Sequence, residues 1–251
     1  MRWSRRCSIL AAYATFAVCA LSILHPAVQQ PPAAADSSPA LPAGPPSQDT
    51  PTKAQPEFFV LIDPSHGGDD KGAVFSSRIA EKDVTLALAR ELRKQLEERG
   101  IAARLLRDSD VNVSLERRAE ISNQQHPELY IALHAGNPGS GVRVYAPLLF
   151  QTQQTPGRFV PWETAQASSL ERSQAIAKAV TQELQKKDIK APYLQAFLRP
   201  LNNVIAPAIA VEMAVDRGDL RPLGNEKLEG GVASAVASAI AQNLGRMGGR
   251  K

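Results

Sequence analysis

Four side chains that can bind a metal or transfer a proton lie at the ends of predicted secondary-structure elements: His66, Glu81, His134 and Glu212. Two histidines and one carboxylate form a common catalytic zinc set, which leaves the fourth coordination position open for water. A second carboxylate can take the proton of that water and pass it to a leaving amine. These residue types indicate a zinc hydrolase, with His66, Glu81 and His134 as ligands and Glu212 as general base and acid.

The same residues also have structural interpretations, which their spacing alone leaves open. His66 could bond the backbone in a turn, and His134 could do the same in a loop. Glu81 at a helix start could simply complement the helix dipole. Glu212 is harder to explain in this way, because it follows the apolar run 209–211 and an isolated buried carboxylate is costly. A structural Glu212 would need a partner, for which Arg199 is a candidate.

The elements that position these residues are predicted from hydrophobic periodicity and helix-end signals. Apolar or alternating runs predict strands at 58–62, 102–106, 129–133, 142–145 and 206–213. Amphipathic or small-residue runs predict helices at 81–99, 114–124, 169–186 and 230–244. The alternation favours a single α/β domain with a central, mostly parallel sheet of about five or six strands and helices on both faces.

This fold would bring the four side chains to one edge of the sheet. His66 and His134 come directly after apolar strands, and Glu212 lies near the end of another. Sites in open α/β sheets lie beyond the carboxyl ends of the strands. Glu81 opens the first long helix, which begins at the same edge. Residues far apart in sequence are therefore expected to converge there.

The first 26 residues are typical of an export signal or a membrane anchor. Three arginines precede the apolar run 9–24, which is the pattern of a secretory signal. The run is slightly shorter than the ~18 residues expected of a spanning helix, so a cleaved signal is favoured over an anchor or over a lipoprotein at Cys19. Residues 27–56 are rich in proline and alanine, which predicts a disordered tether. The folded domain is then 57–251.

The charge of the chain argues against nucleic-acid binding, and its cysteine content excludes disulfides and cysteine metal sites in the folded domain. Without residues 1–35 the chain keeps 26 basic and 25 acidic residues, so its formal charge of +4 comes mostly from the export segment. No long block of lysine and arginine with interleaved aromatics remains, so nucleic-acid binding loses its main electrostatic support. Cys7 and Cys19 are the two cysteines, and both precede the folded domain. That domain has neither a disulfide nor a cysteine metal site.

The order of several sequence blocks resembles the zinc-dependent N-acetylmuramoyl-L-alanine amidases (amidase type 3), exported enzymes that cleave bacterial cell-wall peptidoglycan. The resemblance runs from about residue 59 to 244 and is carried by VLIDPSHGGDDKGA, EKDVTLALARELRKQLEERGI, LYIALHAGNPGSGVRVYA and LRPLNNVIAPAIAVEMA. It implies that the zinc ligands fall on His66, Glu81 and His134 and the catalytic glutamate on Glu212. It further suggests Arg199 and Asn137 as substrate contacts.

The resemblance also implies a function for the folded domain. The domain 57–251 would hydrolyse the amide between N-acetylmuramic acid and L-alanine of the stem peptide, with Zn²⁺ as cofactor. The substrate would be peptidoglycan, and the location the periplasm or cell envelope. A membrane tether through residues 9–24 and a protein activator are further partners consistent with it.

Several positions depart from the family pattern and keep other functions open. Ser65 stands where the family has glycine before the first histidine, Gly136 where it has asparagine, and 213–217 where it has a glycine-phenylalanine stretch. These residues lie at the rim that would hold the stem peptide. Two alternatives therefore stay open. The chain could be a non-catalytic peptidoglycan-binding or regulatory relative, or a zinc hydrolase of another cell-wall peptide bond. The polar segment 147–167 looks too short for a blocking helix, which favours an open site.

Overall fold

The computed structural model describes residues 58–136, 138–149, 162–215, 220, 223 and 225–244. The chain divides into two units, Met1–Thr52 and Lys53–Lys251, and every described residue belongs to the second. The predicted export segment 1–26 and tether 27–56 therefore fall outside the described residues. Within the described ranges, no helix is both long and apolar enough to cross a membrane.

A six-stranded mixed sheet forms the centre of the domain, as predicted. Its strands in chain order are β1 Val60–Pro64, β2 Ala103–Leu105, β3 Leu129–Gly136, β4 Val142–Pro147, β5 Tyr193–Ala196 and β6 Ala208–Ala214. In space the order is β2-β1-β3-β6-β4-β5. All neighbours are parallel except β4 and β6, which pair antiparallel. The short edge strand β5 was not predicted, because its four half-exposed residues carry no clear alternation.

Helices cover both faces of this sheet, which confirms the predicted layering. They are α1 Glu81–Glu97, α2 Leu115–Gln125, α3 Leu170–Gln185 and α4 Glu226–Leu244, with 3₁₀ helices at Trp162–Ser168 and Leu201–Asn203. Buried residues of α1, α3 and α4 share one core with one face of the strands. On the other face, Ala119 of α2 and Leu201 of the second 3₁₀ helix pack against Leu61 and Tyr130.

Alternate residues of the central strands supply these two cores. Ile62 and Ile131 face the three-helix layer, whereas Leu61 and Tyr130 face α2. Strands buried on both sides appear in sequence as continuous apolar runs, which is why they could be predicted. On α1 the stripe Val84, Leu88, Leu92 and Leu96 is buried. Each fully buried leucine of this stripe contributes about 1.5–3 kcal/mol to folding.

Local signals fix the helix ends next to the site. Ser114 caps α2, accepting a hydrogen bond from the Arg117 N–H at 3.2 Å. Gly100, with φ +74°, follows α1 in a left-handed conformation that glycine adopts readily. Helix α4 begins at Glu226, four residues before its predicted start at Gly230. The Asn225 side chain accepts the Leu228 N–H at 3.1 Å, so capping sets this start despite the glycines that follow.

Candidate metal centre and active site

The four predicted catalytic residues converge at the carboxyl ends of neighbouring strands. His66 follows β1, His134 lies in β3, and Glu212 lies in β6. In the parallel pair β3–β6, His134 and Glu212 are directly opposite each other. Glu81 is the first residue of α1, which starts at the same edge. The topology thus assembles one site from residues 146 positions apart in the chain.

His66, Glu81 and His134 form a cluster with the donor atoms of a metal site. Ligand atoms of the three side chains lie within 4.8 Å of one another. Glu81 Oε2 is 3.2 Å from His66 Nε2, and Glu81 Oε1 is 3.1 Å from His134 Nδ1. The two imidazole rings are nearly perpendicular, with centroids 5.9 Å apart. Two nitrogens and a carboxylate in this arrangement match the ligand preference of Zn²⁺.

Each ligand candidate is also held from outside the cluster. Glu81 Oε2 accepts the Ala73 N–H at 2.9 Å, and Oε1 accepts the Ala135 N–H at 3.1 Å. The second nitrogen of His66, Nδ1, is 2.9 Å from Asp70 Oδ2. Outer partners of this kind orient histidine ligands in metal sites and raise their basicity.

The electrostatics of the cluster keep its carboxylate ionised. Burial alone would raise the pKa of Glu81, but hydrogen bonds to His134, His66 and Ala73 outweigh it and hold that pKa well below its ordinary value. The hydrogen bond to Glu81 raises the pKa of His66 above its ordinary value, burial opposes this, and Asp70 adds to the rise. An ionised Glu81 is the form required of a metal ligand.

The turn that presents His66 is strained and held by two buried arginines. His66 has φ +63°, a left-handed conformation that costs a non-glycine residue about 1–2 kcal/mol. The Arg107 guanidinium donates to the Pro64 carbonyl at 2.9 Å and to the Lys82 carbonyl at 2.8 Å. Arg118 donates to the His66 carbonyl at 2.8 Å and to Pro64 at 3.1 Å. The conformation of His66 is therefore imposed by its surroundings.

Behind this turn, Arg118 is paired with a buried carboxylate. Asp63 is fully buried and accepts hydrogen bonds from the Arg118 guanidinium and the Tyr130 hydroxyl. Burial and the neighbouring Asp63 raise the pKa of Tyr130 well above its ordinary value, so the phenol remains a donor. None of these three residues was predicted, although a charged residue ending an apolar strand, as Asp63 does, is a usable signal.

Gly72 allows the backbone to pass directly beside two of the ligand candidates, His66 and Glu81. It has φ +62°, and a Cβ at this position would lie 2.5 Å from His66 Cδ2 and 2.6 Å from Glu81 Oε2. Neither distance is compatible with a side chain. Only glycine fits here while the two ligands keep their positions.

Glu212 is braced by two side chains of β4. The carboxylate is 8% exposed; the Tyr145 hydroxyl donates to its Oε2 at 2.7 Å, and Arg143 Nη1 lies 3.6 Å from the same oxygen. Burial and the hydrogen bond to Glu212 raise the pKa of Tyr145 to about 12. Sequence reasoning missed both partners, although alternation along VRVYAP places Arg143 and Tyr145 on one face of the strand. Arg199, the partner considered from sequence, is exposed and adjoins Pro200.

An open cleft of about 290 Å³ adjoins the cluster. Its lining includes Ser65, His66, His134 and Pro200, together with 112–115 around the start of α2. Asn137, the second predicted substrate contact, lies outside the described residues, as does most of the segment 147–167 considered as a cover.

The sequence matches the model of a protein family described as N-acetylmuramoyl-L-alanine amidase over residues 60–242. The chain belongs to this family. The match includes the whole cluster and Glu212, and it confirms the resemblance seen in the sequence blocks.

Curated relatives of this amidase-family chain carry the same description. N-acetylmuramoyl-L-alanine amidase AmiA of Escherichia coli (strain K12) is 40% identical over 91 residues, which are 35% of this chain and 32% of that protein. AmiC of Neisseria meningitidis serogroup B is 27% identical over 213 residues, 72% of this chain and 51% of that protein. The chain thus spans about a third to a half of the length of these relatives.

A solved structure of the family shares the fold. N-acetylmuramoyl-L-alanine amidase AmiC2 of Nostoc punctiforme is 28% identical, with a TM-score of 0.59 over 76% of this chain and 98% of that one. The likeness covers nearly all of the solved chain and confirms the α/β architecture derived above.

Proposed function

We propose that this chain is a zinc-dependent N-acetylmuramoyl-L-alanine amidase of peptidoglycan. The bond cut is the amide between the lactyl group of N-acetylmuramic acid and L-alanine of the stem peptide. One observation carries the proposal: His66, Glu81 and His134 form a metal-type cluster beside Glu212, in a chain of this family.

Both the donor atoms of the cluster and the hydrogen bonds that hold them suit zinc. It offers two imidazole nitrogens and an ionised carboxylate, and each is oriented by outer contacts. A zinc ion held by His66, Glu81 and His134 would supply a Lewis acid for the amide carbonyl and would lower the pKa of a bound water to roughly 7. Ser65 and Pro200 line the adjoining cleft, where the reacting amide would lie.

Glu212 carries the proton in this reaction. Its carboxylate takes a proton as the water oxygen attacks the amide carbon, and delivers it to the L-alanine nitrogen as the C–N bond breaks. The products are a lactyl carboxylic acid on the sugar and a free amine on the peptide. Tyr145 donates to Glu212 and, with a pKa near 12, remains protonated throughout the neutral range. It can therefore hold the carboxylate during both transfers.

The proposal also covers the cellular location of the protein and the residues that contact the substrate. The predicted export segment 1–26 supports a location in the periplasm or cell envelope, and the segment 9–24 would serve as a tether if it is retained. Arg199 is proposed to contact the stem peptide because it is exposed beside Pro200, which lines the cleft. Asn137 is proposed as a second contact on sequence grounds, and a protein activator remains part of the proposal.

Zinc content and product mass test the proposal together. Purified full chain is analysed for bound metal and then incubated with isolated sacculi. We expect about one zinc per chain, as for a catalytic site of three protein ligands, and released peptides that begin with L-alanine. Glu212→Gln should keep the zinc and release no peptide. Peptides released at the wild-type rate by this variant would contradict the role of Glu212, and products cut elsewhere would contradict the bond assignment.

A further inference from the structure

Both histidines of the cluster are held in the same way, each by its second nitrogen. His66 turns Nε2 to Glu81 and Nδ1 to Asp70, and His134 turns Nδ1 to Glu81 and Nε2 to the Ser65 hydroxyl at 2.9 Å. Both outer partners belong to the segment 65–70 that follows β1. Ser65 reaches from this segment across to β3, so it links the turn that carries His66 to the strand that carries His134.

The backbone of Ser65 is fixed on both sides, which aims its hydroxyl. Its N–H donates to the Leu133 carbonyl at 3.1 Å. Its own carbonyl accepts from Thr85 Oγ1 at 2.9 Å and from Arg107 Nη2 at 3.2 Å. The residue is buried, with 6% of its surface exposed. A hydroxyl placed so rigidly against an imidazole nitrogen can determine how the ring is turned.

We infer that Ser65 is a positioning residue for His134 in the metal cluster. The inference rests on the proposed function, because it assigns His134 Nδ1 as the ligand atom. A ligating Nδ1 uses its lone pair, so the ring proton sits on Nε2 and is donated to Ser65 Oγ. The hydroxyl then selects the tautomer and holds the ring with Nδ1 toward Glu81. Ser65 thereby does for His134 what Asp70 does for His66.

The expected consequence is a loss of zinc affinity without a loss of fold. Removing an outer partner of a ligating histidine typically weakens metal binding about 10–100-fold. Because Ser65 offers a neutral acceptor, we expect an effect near the lower end, about tenfold. Ser65→Ala leaves the backbone contacts in place, and Ser65→Gly introduces the residue of the family pattern.

Zinc dissociation constants measured by chelator competition test this inference. The full chain is compared with Ser65→Ala, Ser65→Gly and Ser122→Ala, a matched control. Ser122 is also buried, and its Oγ has no hydrogen-bond partner among the described residues. Circular dichroism of each zinc-free variant establishes that it is folded at the temperature of the titration.

Weaker zinc binding in both Ser65 variants, with Ser122→Ala unchanged, is the expected result. Wild-type zinc affinity in folded Ser65→Ala would overturn the inference and leave the proposed function standing. A wild-type chain that binds no zinc would instead contradict the metal centre itself, so the two failures can be told apart.

Discussion

At the scale of single residues, the site contains some residues that the sequence can reveal and others that it cannot. His66, His134 and Glu212 stand at the ends of apolar strands, where a titratable residue is conspicuous. Arg118, which donates to the His66 carbonyl, and Tyr145, which donates to Glu212, lie in ordinary amphipathic segments. Hydrogen bonds between residues 52 or 67 positions apart leave no local pattern, so these supports became visible only in the folded chain.

Gly72 gives a residue-scale prediction with a matched control. In Gly72→Ala the added methyl meets His66 and Glu81 at about 2.5 Å, so at least one ligand must move. We expect zinc affinity to fall about 10–100-fold or more, measured by chelator competition. Gly230→Ala is the control, because among the described residues its added Cβ meets nothing within 4 Å beyond its chain neighbours and the backbone of its own helix, and alanine is favoured in a helix. Equal zinc affinity in the two variants would contradict the described packing.

Tyr145 gives a second prediction at this scale, directed at catalysis. Tyr145→Phe removes the hydrogen bond to Glu212 but no metal ligand. Hydrogen bonds to charged groups contribute about 1.5–3 kcal/mol, so we expect kcat to fall about tenfold or more with zinc content unchanged. The deficit should persist through neutral and mildly alkaline pH, because the pKa of Tyr145 is about 12. Tyr193→Phe on edge strand β5 is the control and should keep the wild-type kcat.

At the scale of elements, the site lies at the carboxyl end of one face of the sheet. On β3, Tyr130 and Ala132 belong to the core beneath α2, and on β6 so does Ala210. His134 and Glu212 are the next residues in these alternations. The face is therefore apolar along most of each strand and polar at its carboxyl end. Periodicity predicted β3 and β6 and the polar residues near their ends, whereas the antiparallel direction of β4 depends on tertiary pairing that periodicity does not encode.

Substitution of Arg118 tests whether this residue of α2 holds the end of β1 in place. Arg118→Met leaves the carboxylate of Asp63 buried without its guanidinium partner. Removing one member of a buried ion pair costs about 3–5 kcal/mol, so we expect the free energy of unfolding of the zinc-free chain to fall by about that amount in urea titrations.

The neighbouring Arg117 supplies the control for this test. Its side chain is exposed and pairs with Glu120 at 2.8 Å on the helix surface. Exposed pairs of this kind contribute little to stability, so Arg117→Met should be close to wild type. Adding Asp63→Asn to Arg118→Met should recover part of the loss, because the uncompensated charge is then removed. Equal stability of the Arg117 and Arg118 variants would show that the buried pair does not anchor α2.

At the scale of the whole domain, the metal cluster joins elements that are distant in sequence. His66 follows β1, Glu81 begins α1, and His134 belongs to β3. None of these proposed ligands can keep its position in an unfolded chain, so binding of a metal by all three would be linked to folding of the entire domain. The sequence predicted this arrangement because strand–helix alternation fixes where carboxyl ends meet, independently of the exact boundaries of each element.

This linkage predicts that zinc raises the melting temperature of the full chain. At a free zinc concentration about 100 times its dissociation constant, binding adds about 2.7 kcal/mol of stability. For a domain of this size that corresponds to a rise of roughly 5–10 °C, measured by calorimetry with and without a chelator. Glu81→Gln should lose most of the rise because the ligand carboxylate is gone, whereas Glu212→Gln should keep it because Glu212 lies outside the ligand set. A rise that is lost in Glu212→Gln and kept in Glu81→Gln would reverse the two roles, since zinc would then depend on the residue assigned here to proton transfer.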